Sequence, residues 1–346
     1  MLLQLVDFKS ISIENLLRLG RLPVPGLNGD HIHREVQDAL QAQCRNRTPN
    51  QESFRPKRRC LKHWSPGLGA STEAPGQKVL PTSCRRLCWH EGAIYALDFD
   101  NEVFCWKPGD PATEVRTLLG KGTRVTGIDD VGRDCDFLDL SVSPTGDIFV
   151  ADPENERLFG FQNGIGCLVL DEFHGYTICC SPNGVLYELT AEALQKLEGS
   201  RLQTVKAFAD LPEDLDFLPA AMFVTNEEVI YVLDGRNHRI LRFNPVESFR
   251  PVVVGQVPAE HNPRLLDLFV TEAGTIYVAD YGQRKVLAIR PGDETFTEVL
   301  ECPGTLCPTS VLVQDRSLYV GMSTWDTGER TGGLYEYKLP PELQLE

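Results

Sequence analysis

Two aspartates, Asp139 and Asp267, fall at equivalent places in two copies of a phrase that this chain repeats, and Arg85 takes that place in the first copy. If the repeat turns these positions toward one axis, two carboxylates and a guanidinium face each other and could bind a small cationic or polar ligand. The same side chains are equally suited to capping strand backbone groups, or to pairing Asp139 and Asp267 with Arg85 or Arg86. A second candidate is Trp325 with Asp326 and Arg330, in the polar stretch 323–332. Tryptophan set among polar residues is a favoured interface anchor, and packing at a sheet edge is its structural alternative. No nucleophile and base share a register, so no residue is assigned a catalytic role. Cys84-x3-Cys88 and Cys302-x4-Cys307 resemble halves of a zinc site, but four tetrahedral ligands are needed and neither has a second half. No metal or other cofactor is expected.

The elements that would position these residues follow from the repeat. Its clearest copies run from Ile230 to Phe243 (IYVLDGRNHRILRF), from Ile276 to Ile289 (IYVADYGQRKVLAI) and from Ile148 to Phe161 (IFVADPENERLFGF). Weaker copies begin at Ile94, Leu186 and Leu318. A period of roughly 40–50 residues built of short strands marks a β-propeller. In the copy at Ile148, strands are predicted over 138–143, 148–151, 157–161 and 167–170, separated by turn residues such as Pro144-Thr-Gly-Asp147. The fold class is therefore all-β, a six-bladed propeller of four-stranded antiparallel blades over residues 77–346. It follows an N-terminal extension, residues 1–76, read as largely irregular with a short helix near its start. The last repeat supplies three strands before Pro340-Pro341. An unpaired edge there would invite aggregation, so Gln77–Leu80 is predicted to cross over and complete it.

Charge narrows the partners. Residues 1–80 hold 12 Lys and Arg against 7 Asp and Glu, and the remainder holds 22 against 42. An acidic propeller repels a phosphate backbone, so nucleic acid is excluded as a ligand of the body. The basic run Arg55-Pro-Lys-Arg-Arg59 lies in a Pro-, Gln- and Ser-rich stretch that reads as a solvated linker. No segment approaches ~20 apolar residues, which argues against a membrane span. The first residues lack the basic, then apolar, pattern of a secretory leader. With eleven cysteines in no framework spacing, reduced thiols in a cytoplasmic, intracellular protein are the expectation. The vicinal pair Cys179-Cys180 is read as sheet-face packing.

The motif aliphatic-Tyr-Val-Ala/Leu-Asp-x-x-Asn-x-Arg resembles the NHL repeat. The copy at Ile230 keeps Asp234, Asn237 and Arg239; that at Ile148 keeps Asp152, Asn155 and Arg157; that at Ile276 keeps Asp280 with Gln283 for Asn. The copy at Ile94 keeps only Asp98, and those at Leu186 and Leu318 carry Thr190 and Met322 instead. Asp and Asn are expected to close the turn by bonding their own backbone, while the Arg stem covers apolar surface with its head in water. His238 reads as a turn residue.

The resemblance implies a fold more than an activity. Ubiquitin-ligase relatives carry zinc modules and a coiled coil ahead of the propeller, and residues 1–80 show neither. Amidating lyases place metal-binding histidines, and lactonases calcium-binding Glu and Asn, where the inner strands meet the channel. Here that ring reads Cys84, Leu138, Tyr176, Ala220, Leu266 and Thr309. The sequence thus points to a non-catalytic, monomeric scaffold that presents loops, such as 120–136 and 323–332, to a protein or peptide partner. The alternative is a hydrolase or lactonase-like enzyme with a divalent metal in the channel. Asp139, Asp267, Arg85, Trp325, Asp326 and Arg330 are the candidate binding residues.

Overall fold

Six sheets of four antiparallel strands stand in a ring. A computed structural model describes residues 76–120, 135–162, 165–199, 201–208, 218–324 and 331–339. Strand β1 (Gln77–Leu80) comes first. Blade 1 is β2 (Cys84–His90), β3 (Ala93–Asp98), β4 (Val103–Trp106) and β5 (Arg116–Leu119). Blade 2 is β6 (Asp139–Val142), β7 (Ile148–Asp152), β8 (Arg157–Gln162) and β9 (Ile165–Asp171). Blade 3 is β10 (Thr177–Cys180), β11 (Leu186–Leu189), β12 (Ala193–Glu198) and β13 (Arg201–Ala207). Blade 4 is β14 (Pro219–Val224), β15 (Ile230–Asp234), β16 (Arg239–Asn244) and β17 (Arg250–Gln256). Blade 5 is β18 (Leu265–Val270), β19 (Ile276–Asp280), β20 (Lys285–Ile289) and β21 (Thr297–Glu301). Blade 6 holds β22 (Cys307–Gln314), β23 (Ser317–Ser323) and β24 (Gly332–Lys338).

Alternation on the strands is what stacks the blades. Along β7, Ile148 and Val150 pack toward blade 1, while Phe149 and Ala151 pack toward blade 3. The same division recurs around the ring, so each pair of neighbouring blades shares one apolar cluster. A four-stranded sheet with both faces buried is stable only in such company.

The ring closes where the sequence places the closure. β1 pairs antiparallel with β24, aligning Gln77 with Glu336 and Leu80 with Leu334, and is the outer strand of blade 6. Val79 and Leu80 are buried there. The fit needs glycine on the partner strand, because a Cβ at Gly333 would lie 2.5 Å from the Leu80 carbonyl oxygen. A chain lacking residues 1–82 is expected to melt several degrees lower and to aggregate, since β24 would present a free edge. An unchanged melting curve would show that β1 is dispensable.

The repeat motif lies in the turn between the second and third strands of each blade. In blade 4, the buried Asp234 accepts hydrogen bonds from the amides of Leu218, Arg236 and Asn237 at 3.2 Å. Its other oxygen takes the Asn237 side chain at 2.8 Å and the Arg239 Nε at 2.9 Å. Asp152 repeats this with Asn155 and Arg157, each at 2.8 Å. The arginine head is therefore an ion-pair partner of a buried carboxylate, not a solvated tip. In blade 5, Gln283 reaches Asp280 at 2.8 Å, while Lys285, standing where arginine does elsewhere, pairs with Glu298. Blade 1 keeps the aspartate alone. Burial pushes Asp98 up to about 6, against the pull of the Glu102 and Asp100 amides.

Candidate functional site

The first strand of each blade lines the axis, and the ring of residues at its start is built by register. Leu87, Leu140, Ile178, Met222, Leu268 and Val311 turn into the blade interfaces. The residues just before them in blades 1 to 5 are Arg86, Asp139, Thr177, Ala221 and Asp267, and all five line a central cavity. In blade 6 that place belongs to Ser310, which is buried with its hydroxyl unpartnered.

Arg86 therefore holds the position that the spacing assigns to Arg85. Blade 1 joins β2 to β3 by the two-residue turn Glu91-Gly92, with φ of 45° and 77°. That turn is one residue shorter than the turn after β6, which the Ser143 amide and Asp147 carbonyl close around residues 144–146, and it moves the register by one. The bulge between Cys84 and Arg86 recurs at the same place in blades 4, 5 and 6. Arg85 points elsewhere: it pairs with Asp136 at 3.2 Å, donates to the Phe137 carbonyl, and stacks over the Phe99 ring at 5.0 Å. Trp325, Asp326 and Arg330 lie outside the described residues, as does most of the 120–136 loop.

The structure brings Asp139 and Asp267 together around Arg86. Its Nε donates to Asp139 at 2.9 Å, one terminal nitrogen to the Leu266 carbonyl at 2.8 Å, and the other to the Ala220 carbonyl at 2.5 Å. Asp267 lies 3.2 Å from the first of these nitrogens. The second oxygen of Asp139 accepts from Thr177 Oγ1 and the Ile178 amide, and that of Asp267 from the Val311 amide at 3.0 Å. One hydrogen-bonded network thus joins all six blades. Two carboxylates share one cation in a buried place, so one is ionised at a cost. Burial pushes Asp267 up to about 7, against the opposing pull of Arg86 and the Val311 amide. The network spans the channel at the end where the inner strands begin.

Above this floor the cavity widens to about 1,100 Å³. Its wall carries Cys88, Ser141, Cys179, Phe223 and Phe269, the two rings meeting edge to face with centroids 5.1 Å apart. Cys88 donates to the Leu140 carbonyl at 3.1 Å. Burial holds the Cys88 and Cys179 thiols well above the usual range, so neither is a nucleophile at neutral pH. Cys180, on the other face of the sheet, packs toward blade 2. The rim is made by the turns after the inner strands and includes Glu91, Glu227, Glu272 and Asp315. Among the described residues no group of three or more His, Cys, Asp or Glu side chains could hold a metal ion. No helix of the described residues is long and apolar enough to cross a membrane.

These features define a six-bladed β-propeller. No family model and no curated protein matches the chain. Solved structures do. The catalytically inactive virginiamycin B lyase from Staphylococcus aureus with quinupristin is 13% identical over 75% of this chain and 98% of its own, with a TM-score of 0.52. A streptogramin B lyase is 14% identical over 76% of this chain and 84% of its own, TM-score 0.50. A protein of unknown function from Bacteroides thetaiotaomicron is 8% identical over 77% of this chain and 72% of its own, TM-score 0.55. Likeness at such low identity is a likeness of fold.

Proposed function

We propose that the chain is an NHL-type propeller that serves as a non-catalytic scaffold and binds a protein or peptide partner on the face where the cavity opens. The observation that carries this reading is the contrast between the two ends of the channel. At the floor, Arg86 directs each of its three nitrogens to a partner, and Asp139 and Asp267 bond to Arg86 and to inner-strand amides. A metal-dependent hydrolase would need those carboxylates free for an ion. The open end offers a broad concave surface on a rigid ring, which is where propellers suit recognition. The turn geometry of Asp152 and Asp234 supports the NHL assignment. Free thiols at Cys84, Cys105 and Cys302 fit a monomer working in a reducing, intracellular compartment.

Selection of a displayed random-peptide library on the full chain tests the reading. A recurrent consensus, binding at micromolar concentration or tighter, is expected. Failure to enrich any consensus, together with turnover in a panel of lactones and esters, would reverse the assignment.

A further inference from the structure

Among the described residues the cavity rim is rich in carboxylates. Glu91, Glu227, Glu272 and Asp315 come from four different blades and line the mouth; among the described residues no lysine or arginine lines it, and His90 stands 3.8 Å from Glu91. Arg86, the lone Lys or Arg among the described lining residues, is neutralised at the floor by Asp139 and Asp267. Arg316 follows Asp315 in the same turn but lies outside the lining. Glu227 and Glu272 are exposed, and no hydrogen bond or ion pair engages them among the described residues. Carboxylates gathered around a concave mouth focus a negative field and raise the local concentration of cations. Beneath them the wall presents Trp89, Phe223 and Phe269, partly exposed rings that suit the apolar stem and the charge of an arginine or lysine.

We infer that this mouth binds a basic peptide segment, with cationic side chains at the rim carboxylates and at least one reaching between the aromatic residues of the wall. The inference rests on the partner-binding reading above and gives the partner its chemistry. A divalent ion does not fit: calcium needs six to eight converging oxygens and zinc three or four protein ligands, and among the described residues no three His, Cys, Asp or Glu side chains converge. A single small amine leaves most of the space empty, since about 1,100 Å³ exceeds a drug-sized pocket. A segment with several cations matches both the volume and the spread of charge over four blades.

The test measures fluorescence anisotropy of a labelled eight-residue peptide of alternating arginine and leucine on the full-length protein, with a glutamate-leucine peptide as counterpart. Only the arginine probe should bind, more weakly as salt rises. The double variant Glu227→Gln/Glu272→Gln should weaken it about tenfold, and Phe223→Leu several-fold. Glu154→Gln/Glu156→Gln, in the turn between β7 and β8 on the opposite face, should leave it unchanged. Equal losses from the two double variants would mean unspecific attraction of a polycation to an acidic protein and would overturn the inference. So would absent binding, or equal binding of both probes. If the library selection yields a consensus without arginine or lysine, the scaffold reading stands and the basic-peptide inference falls.

Discussion

Replacing Arg86 by Met is expected to lower the unfolding free energy by about 3–5 kcal/mol, the range for removing one partner of a buried ion pair. For a body of this size that is a fall in melting temperature of about 5–9 °C. Both carboxylates facing Arg86 are nearly inaccessible, with 4% and 9% of the Asp139 and Asp267 side chains exposed. Without the guanidinium they keep their backbone donors but lose their counter-charge, and the carbonyls of Ala220 and Leu266 lose a donor. Methionine fills similar volume, so the loss reports charge and hydrogen bonds more than a cavity. Arg86→Lys should recover only part, because one ammonium cannot reach acceptors on three blades with the geometry of a planar fork. The deficit should shrink at acid pH, where protons can replace the missing cation. Urea unfolding of both variants at pH 5 and pH 8 measures this. A loss below about 1 kcal/mol at pH 8, the scale of an exposed ion pair, would show that the network is ornamental to stability.

The network also marks the limit of what the sequence discloses. Six blades are legible because the phrase at Ile94, Ile148, Leu186, Ile230, Ile276 and Leu318 carries both the strand alternation and the turn chemistry. The closing strand Gln77–Leu80 is legible because the last repeat is one strand short. The axial positions of Asp139 and Asp267 follow from counting back along the inner strand. Arg86 fails that count by one residue, since Glu91-Gly92 makes a tighter turn than Pro144-Thr-Gly-Asp147 makes in blade 2. The dipeptide Glu91-Gly92 was itself the signal, as it directly precedes the second strand. The sequence offers Asp139 and Asp267 as partners for Arg85 or Arg86, but the Ala220 and Leu266 carbonyls that Arg86 also bonds carry no local signal, standing 134 and 180 residues away. Contacts of that separation are created by ring closure. The pairing of Asp234 with Arg239 is not legible for another reason: the arginine stem over apolar surface already accounts for that residue type, and nothing local says where its head goes.

Glu188→Val is expected to stabilise the protein, and far more at pH 8 than at pH 5. In β11, Glu188 occupies the place held by Val150, Val232, Val278 and Val320 in other blades, each fully buried. It faces blade 2 and is 1% exposed, with neither carboxyl oxygen making a hydrogen bond of normal geometry. The chain makes room for it with Gly175, where a Cβ would lie 2.4 Å from the Glu188 Cγ. Burial pushes its pKa from 4.5 up to about 7, and the His174 amide offsets only part of that. A carboxyl whose folded pKa is raised contributes its full stability below the unfolded value and loses it as pH rises through the folded one. Between pH 4 and pH 8 the native protein should therefore lose up to about 3 kcal/mol at this residue. Asp267 adds a slope of the same sign, but it is present in both proteins and cancels in their difference. Urea unfolding should show Glu188→Val gaining about 2–3 kcal/mol more at pH 8 than at pH 5. Glu188→Gln should flatten the same slope while keeping a buried polar group. Equal gains for Glu188→Val at both pH values would mean that the carboxyl is charged throughout, held by a partner that the native packing supplies.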